Sequence, residues 1–397
     1  MNILNHETVR ELFNAFYPFF VTGLCLVAFA ITYYLIPKVL WVSKEKKLTA
    51  PVNDRSAHVF ETPSFGGVAF FITLILIISL LQSLRLNYVG SHIIAAITIL
   101  FMVGLKDDLV VSTARIKLIG QITAACFLVF SPEMQLNSLH GFWGVYEIPE
   151  ILGYSMNVFI VVALINAYNL IDGIDGLASM LGIVIAGVYA YIFFETGNSY
   201  FVLISVTIVG VLAAFLRFNF SRGERKIFMG DSGSLVIGLL LAFLTLKILV
   251  MEPHTGLMQE GHSPANRILL ISVVLFLPVF DTLRVMLLRL IDKRSPFSAD
   301  RNHIHHVLLD LGFSHFRASA SLALLNLLVV AIYSYASTRL TNLWLSFGVV
   351  LIYALTFFIF SKLKISTQNT ARPTHSSPKV KGVKVGERSQ MKEEYSS

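Results

Sequence analysis

Five short segments of the 397-residue sequence carry dense clusters of side chains able to do chemistry. They are Asn53-Asp54-Arg55-Ser56-Ala57-His58, followed by Pro63 and Gly66-Gly67; Lys106-Asp107-Asp108; Asn166 to Gly176; Lys226 to Ser234; and Asp300 to His306. Adjacent carboxylates such as Asp107 and Asp108 repel, so the pair calls for a cation or a shared proton. That suits a magnesium site or a general base, and equally two solvated acids in a loop.

The third segment places Asn169, Asp172 and Asp175 three residues apart, with Gly173 and Gly176 between and after them. Spacing by three keeps neighbours close on a helix. Hard oxygen donors of this kind suit magnesium, which also keeps water and substrate phosphate oxygens. The plain alternative is a capped turn. In the fourth segment Phe228 to Ser234 reads as a tight loop opening a helix, whose amides could face a phosphate. Asp231 could hold a metal there, and Phe228 offers a flat face to a base. An ordinary Asp or Ser N-cap explains the same residues. His303, His305 and His306 first suggest zinc. With oxygen donors in the other clusters and no cysteine nearby, contacts to phosphate or sugar fit better, beside an arginine, Arg301, that can bind phosphate in a fork. Arg55 and His58 could bind phosphate or a lipid headgroup, or anchor their loop.

Lipid is the solvent for what positions these clusters. The chain is 55% hydrophobic and 14% charged, against about 25% charged in soluble domains. Apolar runs lie near 17–37, 65–84, 91–105, 116–131, 151–168, 176–194, 199–217, 233–250, 267–290, 319–338 and 342–361. A spanning helix needs roughly 20 such residues, so the expectation is an all-α polytopic bundle of 10 or 11 transmembrane helices. With eleven spans, alternate loops place 26 of the 31 Lys and Arg on one face and four on the other, with Lys247 inside a span. Basic loops stay in the cytoplasm, so the N-terminus is expected outside and the C-terminus inside. All five clusters then share the cytoplasmic face, where a single polar site would assemble.

Three parts follow: an external segment 1–16, a transmembrane domain 17–361 and a basic tail 362–397. The tail's composition reads as disordered, although its lysines could also touch anionic lipid. The first run is too long for a cleaved signal peptide. Cys25 and Cys126 lie in apolar runs and read as packing residues. The segment 131–150, with Trp143 and Tyr146, reads as an interfacial hairpin. Neither it nor 252–266 receives any chemistry. There is no internal repeat of the kind found in inverted-repeat transporters.

Taken in order, Lys-Asp-Asp, Asn-Leu-Ile-Asp-Gly-Ile-Asp-Gly-Leu-Ala, Met-Gly-Asp-Ser-Gly-Ser and His-Ile-His-His resemble the motifs of the polyprenyl-phosphate N-acetylhexosamine-1-phosphate transferases. The resemblance runs over roughly residues 17–361, and the last motif looks like the branch using UDP-GlcNAc or a related UDP-HexNAc. It implies transfer of HexNAc-1-phosphate from a UDP-sugar to undecaprenyl phosphate in the bacterial inner membrane, with Mg2+ as cofactor and Mn2+ as an alternative. By position, Asp231 and Asn169 would hold the metal. Asp107 would deprotonate or position the lipid phosphate, with Asp108 near the metal. Asp172 and Asp175 would line the nucleotide site, Phe228 would stack on the uracil, and Lys117 would reach the pyrophosphate. Arg301, His303, His305 and His306 would hold diphosphate and sugar. The implied partners are the two substrates and membrane lipid, with no nucleic acid; a homodimer is compatible with it. Two rivals remain at this stage. A transporter would carry its charges near the bilayer midplane rather than at span ends. A CDP-alcohol phosphotransferase would need an arginine where Ser179 stands and further acids in 180–194, which has none.

Overall fold

The computed structural model describes residues 15–48, 62–84, 87–110, 112–251, 263–295 and 302–370. Each of the eleven apolar runs is helical. In chain order the helices are α1 (Tyr17–Glu45), α2 (Gly66–Ser83), α3 (Gly90–Leu109), α4 (Ala114–Val129), α5 (Glu150–Ile171), α6 (Leu177–Glu195), α7 (Ser199–Asn219) and α8 (Gly230–Val250). Then come α9 (Arg267–Val274), α10 (Phe276–Ile291), α11 (Ile304–Asp310), α12 (His315–Ser337) and α13 (Asn342–Thr370). No strand occurs among the described residues.

Eight of these helices are long and apolar enough to cross a membrane, or nine if α9 and α10 count as one broken span. The other two runs fall short for visible reasons: α3 ends in Lys106-Asp107-Asp108, beyond its apolar part, and α4 has 16 residues. Helices hydrophobic all round belong in the interior. In lipid such a helix can also face outward: α8 is the most buried span, with 89% of its spanning window buried, whereas α1, nearly as apolar, is 17% buried and faces outward.

The run 267–290, expected as one span, is bent by 80° between Val274 and Phe276. Pro278 has no N–H to give the Val274 carbonyl four residues back. Asn326 on α12 fills the gap: its amide donates to the Val274 oxygen at 3.0 Å and its carbonyl accepts from Leu277 N at 3.1 Å. Beyond the bend α10 is amphipathic, with Leu283, Leu287 and Leu290 exposed and Asp281 and Arg284 buried. The expected interfacial segment 131–150 holds a 3-10 turn, Pro132–Met134, and a hairpin-like turn closed at Phe142 and Val145. At the C-terminus, α13 continues to Thr370, so the first residues of the expected disordered tail are helical. Residues 371–397 and 1–14 lie outside the described residues.

Candidate active site

The floor of the site is a junction between α3 and α8. The Asp108 carboxylate accepts from the backbone N–H of Asp231 at 2.7 Å, from that of Ser232 at 3.0 Å and from the Ser232 hydroxyl at 2.6 Å. It is therefore the N-cap of α8, supplied by another helix. Two amides at this helix start, read from sequence as free to face a phosphate, are taken by Asp108. Close packing makes the reach possible: a methyl group on Gly104 would overlap the Ser232 backbone. Burial pushes the Asp108 carboxyl up to about 6, against its three hydrogen bonds, and the Asp231 charge adds to the rise. The segment before α2 is also accounted for. Gly66 N and Gly67 N donate to the carbonyls of Phe228 and Met229, and Phe228 N donates to Pro63, so this strip fixes the loop that leads into α8.

Above the floor, the Lys117 ammonium lies between Asp107, at 2.7 Å, and Asp231, which it also contacts. Partial burial raises the Asp107 carboxyl, but the bonds from Lys117 and the Ser112 amide outweigh it and hold Asp107 below the usual carboxylate range. The Asn169 amide donates to Asp231 at 3.1 Å and to the Ser234 hydroxyl at 2.7 Å. One turn away, Gln121 and Asn166 exchange amide hydrogen bonds of 3.1 and 2.7 Å and fasten α4 to α5. Asp172 caps the end of α5. Burial, then the charges of Asp231, Asp108 and Asp175, push its carboxyl up to about 7.

Lys117 pairs with Asp107 and Asp231, and the Asp231 charge reaches Asp108 and Asp172 beside them, a gathering of acids that a divalent cation would relieve. The residues fit magnesium. Asp231 and Asn169 are in contact, their donors are hard oxygens, and Mg2+ is usually held by one or two carboxylates plus water and phosphate oxygens. Among the described residues no three His, Cys, Asp or Glu side chains are placed to hold a metal ion together, so an ion here would take its remaining ligands from water and substrate. Ligation through Asn169 requires its amide to turn and present oxygen.

A second group lies beside the first. Asp175 is held by Lys226 at 2.7 Å and by His315 Nδ1 at 3.0 Å. Burial raises its carboxyl, but these two partners outweigh that and leave it below the ordinary value. The Lys226 ammonium also stands over the Phe228 ring, 5.2 Å from its centre. Asn219 ties the two loops together, accepting from Gly176 N at 2.6 Å and donating to the Ile227 carbonyl at 2.9 Å.

The histidines arrive on α11. His305 packs on Gly173, where any Cβ would strike its ring. Burial drives the His305 imidazole down to about 3, so it is neutral. His306 lies against it, ring centres 4.4 Å apart. His303 is bonded through Nδ1 to Asp281 at 2.8 Å. Arg55, His58 and Arg301 lie outside the described residues.

The structure therefore joins Asp107, Asp108, Lys117, Asn169 and Asp231 directly, sets Asp172 within reach of their charges, and gathers Asp175 with the Phe228 loop. Lys117 is engaged by two carboxylates where a pyrophosphate contact was expected. Asp281, Lys226 and His315 were given no role from sequence. Lys226 sat in a recognised cluster and was countable only as a loop charge; Asp281 and His315 carry no spacing signal.

The family model described as glycosyl transferase family 4 matches residues 91–249, which hold Asp107 through Asp231. The decaprenyl-phosphate N-acetylglucosaminephosphotransferase of Mycobacterium tuberculosis (strain CDC 1551 / Oshkosh) is 33% identical, over 74% of this chain and 76% of that one. A probable undecaprenyl-phosphate N-acetylglucosaminyl 1-phosphate transferase of Bacillus subtilis (strain 168) is 28% identical, over 78% and 83%. The undecaprenyl-phosphate alpha-N-acetylglucosaminyl 1-phosphate transferase of Escherichia coli (strain K12) is 26% identical, over 80% and 84%. These likenesses leave the transporter and CDP-alcohol readings without support. Four carboxylates gathered at the ends of apolar helices, in a chain this similar to polyprenyl-phosphate N-acetylglucosamine phosphotransferases, lead to one assignment: the chain belongs to glycosyl transferase family 4 and is a glycosyl-1-phosphate transferase.

Proposed function

We propose that the enzyme transfers GlcNAc-1-phosphate from UDP-GlcNAc to undecaprenyl phosphate, releasing UMP, as the first membrane step of a cell-surface polysaccharide. The observation that carries the proposal is the meeting of Asp108, Asn169 and Lys117 at Asp231, with Asp107 held by the same Lys117 ammonium. The names of the relatives support the sugar and the polyprenyl acceptor. The 26-to-4 distribution of basic residues supports eleven crossings, an outside N-terminus and a site on the cytoplasmic face of a bacterial inner membrane.

In this reading a lipid phosphate oxygen attacks the β-phosphorus of the UDP-sugar and UMP leaves. The acceptor phosphate is already largely ionised near pH 7, and Asp107, held low by Lys117, is a poor base there. Asp107 therefore positions rather than deprotonates. Lys117, already balanced between two carboxylates, is the cation available to the pyrophosphate. Asp175 and Lys226 order the loop whose Phe228 stacks on uracil, with Asp172 beside them. His303, His305, His306 and Arg301 contact diphosphate and sugar, and Arg55 and His58 the lipid phosphate. A magnesium or manganese ion on Asp231 and Asn169 would, when bound, neutralise charge on the transferring phosphoryl group. Positioning and electrostatics carry most of such a transfer.

The test is to incubate the purified protein with undecaprenyl phosphate and, separately, UDP-GlcNAc, UDP-GalNAc and UDP-glucose, reading UMP and the lipid product by mass spectrometry. UMP with a lipid-diphosphate-GlcNAc is expected. A lipid product from another donor alone would replace the sugar assignment, and no lipid product from any donor would end the proposal.

A further inference from the structure

Asp281 sits on the inward face of α10, 1% exposed, and lies outside the carboxylate cluster that the transfer reaction uses. Both of its oxygens are engaged by one turn of chain. Oδ2 meets His303 Nδ1 at 2.8 Å and Oδ1 accepts from Ile304 N at 2.9 Å. One oxygen fixes the ring and the other fixes the backbone that carries it. Arg284, a turn further along α10, donates to the Asn302 carbonyl just before. The polar face of α10 thus clamps residues 302–304 from beneath.

We infer that Asp281 is a positioning residue for the transfer reaction, setting the tautomer and angle of His303. A carboxylate only accepts, so Nδ1 of His303 carries the hydrogen. Nε2 is the ring nitrogen left for the sugar diphosphate. Carboxylate partners of this kind fix both ring orientation and tautomer. The effect does not stop at one ring: His303 lies parallel to His305, 9° apart with centres 5.5 Å apart, and His305 rests on Gly173 next to Asp172. A backbone anchor alone needs no charge. A buried carboxylate is costly, whereas an amide would serve Ile304 N equally well. What the carboxylate adds is control of the imidazole.

The inference rests on His303 being a substrate contact, and the experiment separates the two. Purified D281N, D281E, H303A and D281N/H303A are assayed with UDP-GlcNAc and undecaprenyl phosphate. D281N keeps an acceptor for Ile304 N but offers an N–H donor to Nδ1, reversing the tautomer. Its kcat is expected to fall about 10- to 100-fold with both KM values little changed. D281E recovers part of the loss, and the double variant is no slower than H303A. Wild-type kcat in D281N beside an inactive H303A overturns the inference and leaves the His303 reading standing, as does a double variant that multiplies the two losses. An active H303A overturns the His303 reading and the inference with it. Nitrogen-15 spectra of histidine-labelled wild type, with H303Q assigning the resonance, need no Asp281 variant. Hydrogen on Nδ1 is expected, and Nδ1 without hydrogen overturns the inference.

Discussion

Lys117 stands between Asp107 and Asp231 and joins the last turn of α3 to the first turn of α8 through a single ammonium. Two carboxylates this close would repel without it. The lysine is at once the glue of the site and its cation nearest the proposed metal pair.

Replacing Asp231 with Asn removes one charge and leaves the shape. UMP release is expected to fall about 100- to 1,000-fold, and no magnesium concentration should restore it. Near-normal rates in D231N would refute the metal assignment. K117M should lose a comparable factor for a different reason, because Asp107 and Asp231 then face each other unbalanced.

The magnesium requirement should depend on pH, with a sign set by Asp108 and Asp172. Their carboxyls are raised to about 6 and about 7, so the folded protein binds these protons more tightly than the unfolded chain does. In a chelator, stability is then greatest below about pH 4, falls as pH rises from there to about 7, where the folded-state carboxyls have ionised, and levels off above that. A cation prefers the ionised carboxylates, so the magnesium giving half-maximal rate should drop between pH 6 and pH 8, by up to about tenfold per unit for each proton released. Apparent Tm in chelator at pH 5, 6, 7 and 8 checks the first half, and magnesium titrations of the rate at pH 6, 7 and 8 check the second. A magnesium requirement independent of pH contradicts them.

Lys226 should matter to the donor and not to the acceptor. Its ammonium neutralises Asp175 and covers Phe228. K226A is expected to raise KM for UDP-GlcNAc about tenfold, which is about 1.4 kcal/mol, while KM for undecaprenyl phosphate stays put. Steady-state kinetics with each substrate varied in turn decides this.

The bend between α9 and α10 depends on Asn326. In N326L the Val274 carbonyl and Leu277 N–H lose their partners in a dry interior. Each orphaned group costs about 1–3 kcal/mol, so the apparent Tm in detergent should fall by several degrees. An unchanged Tm would show that the bend is held by packing alone.

The helices were legible because a long apolar run in lipid has one stable form. The α9–α10 bend was less so. Pro278 was visible, but proline is tolerated inside membrane helices, and the residue that stitches the break lies on α12, 49 positions away. Of the site, the pairing of Asn169 with Asp231 is implied by the family resemblance and not by spacing or residue type, and the structure places the two 3.1 Å apart. The role of Asp108 could not be read from sequence, because capping rules look within one turn and this cap crosses between helices. Asp281 stayed hidden for a similar reason: inside an apolar run it has no pattern until the bend turns it toward His303.

The reach of Asp108 to the start of α8 has a consequence for how the enzyme is made. Its donor at Asp231 lies 123 residues further along the chain. A ribosome delivers α3 to the membrane well before α8, so Asp108 waits there without its α8 donors while the four helices α4 to α7 are made. A polypeptide stopped before residue 230 would own most of the acids and none of the architecture that makes them a catalyst. Completion of α8 is the moment at which the carboxylate cluster can close, with the histidines at 303–306 still to come.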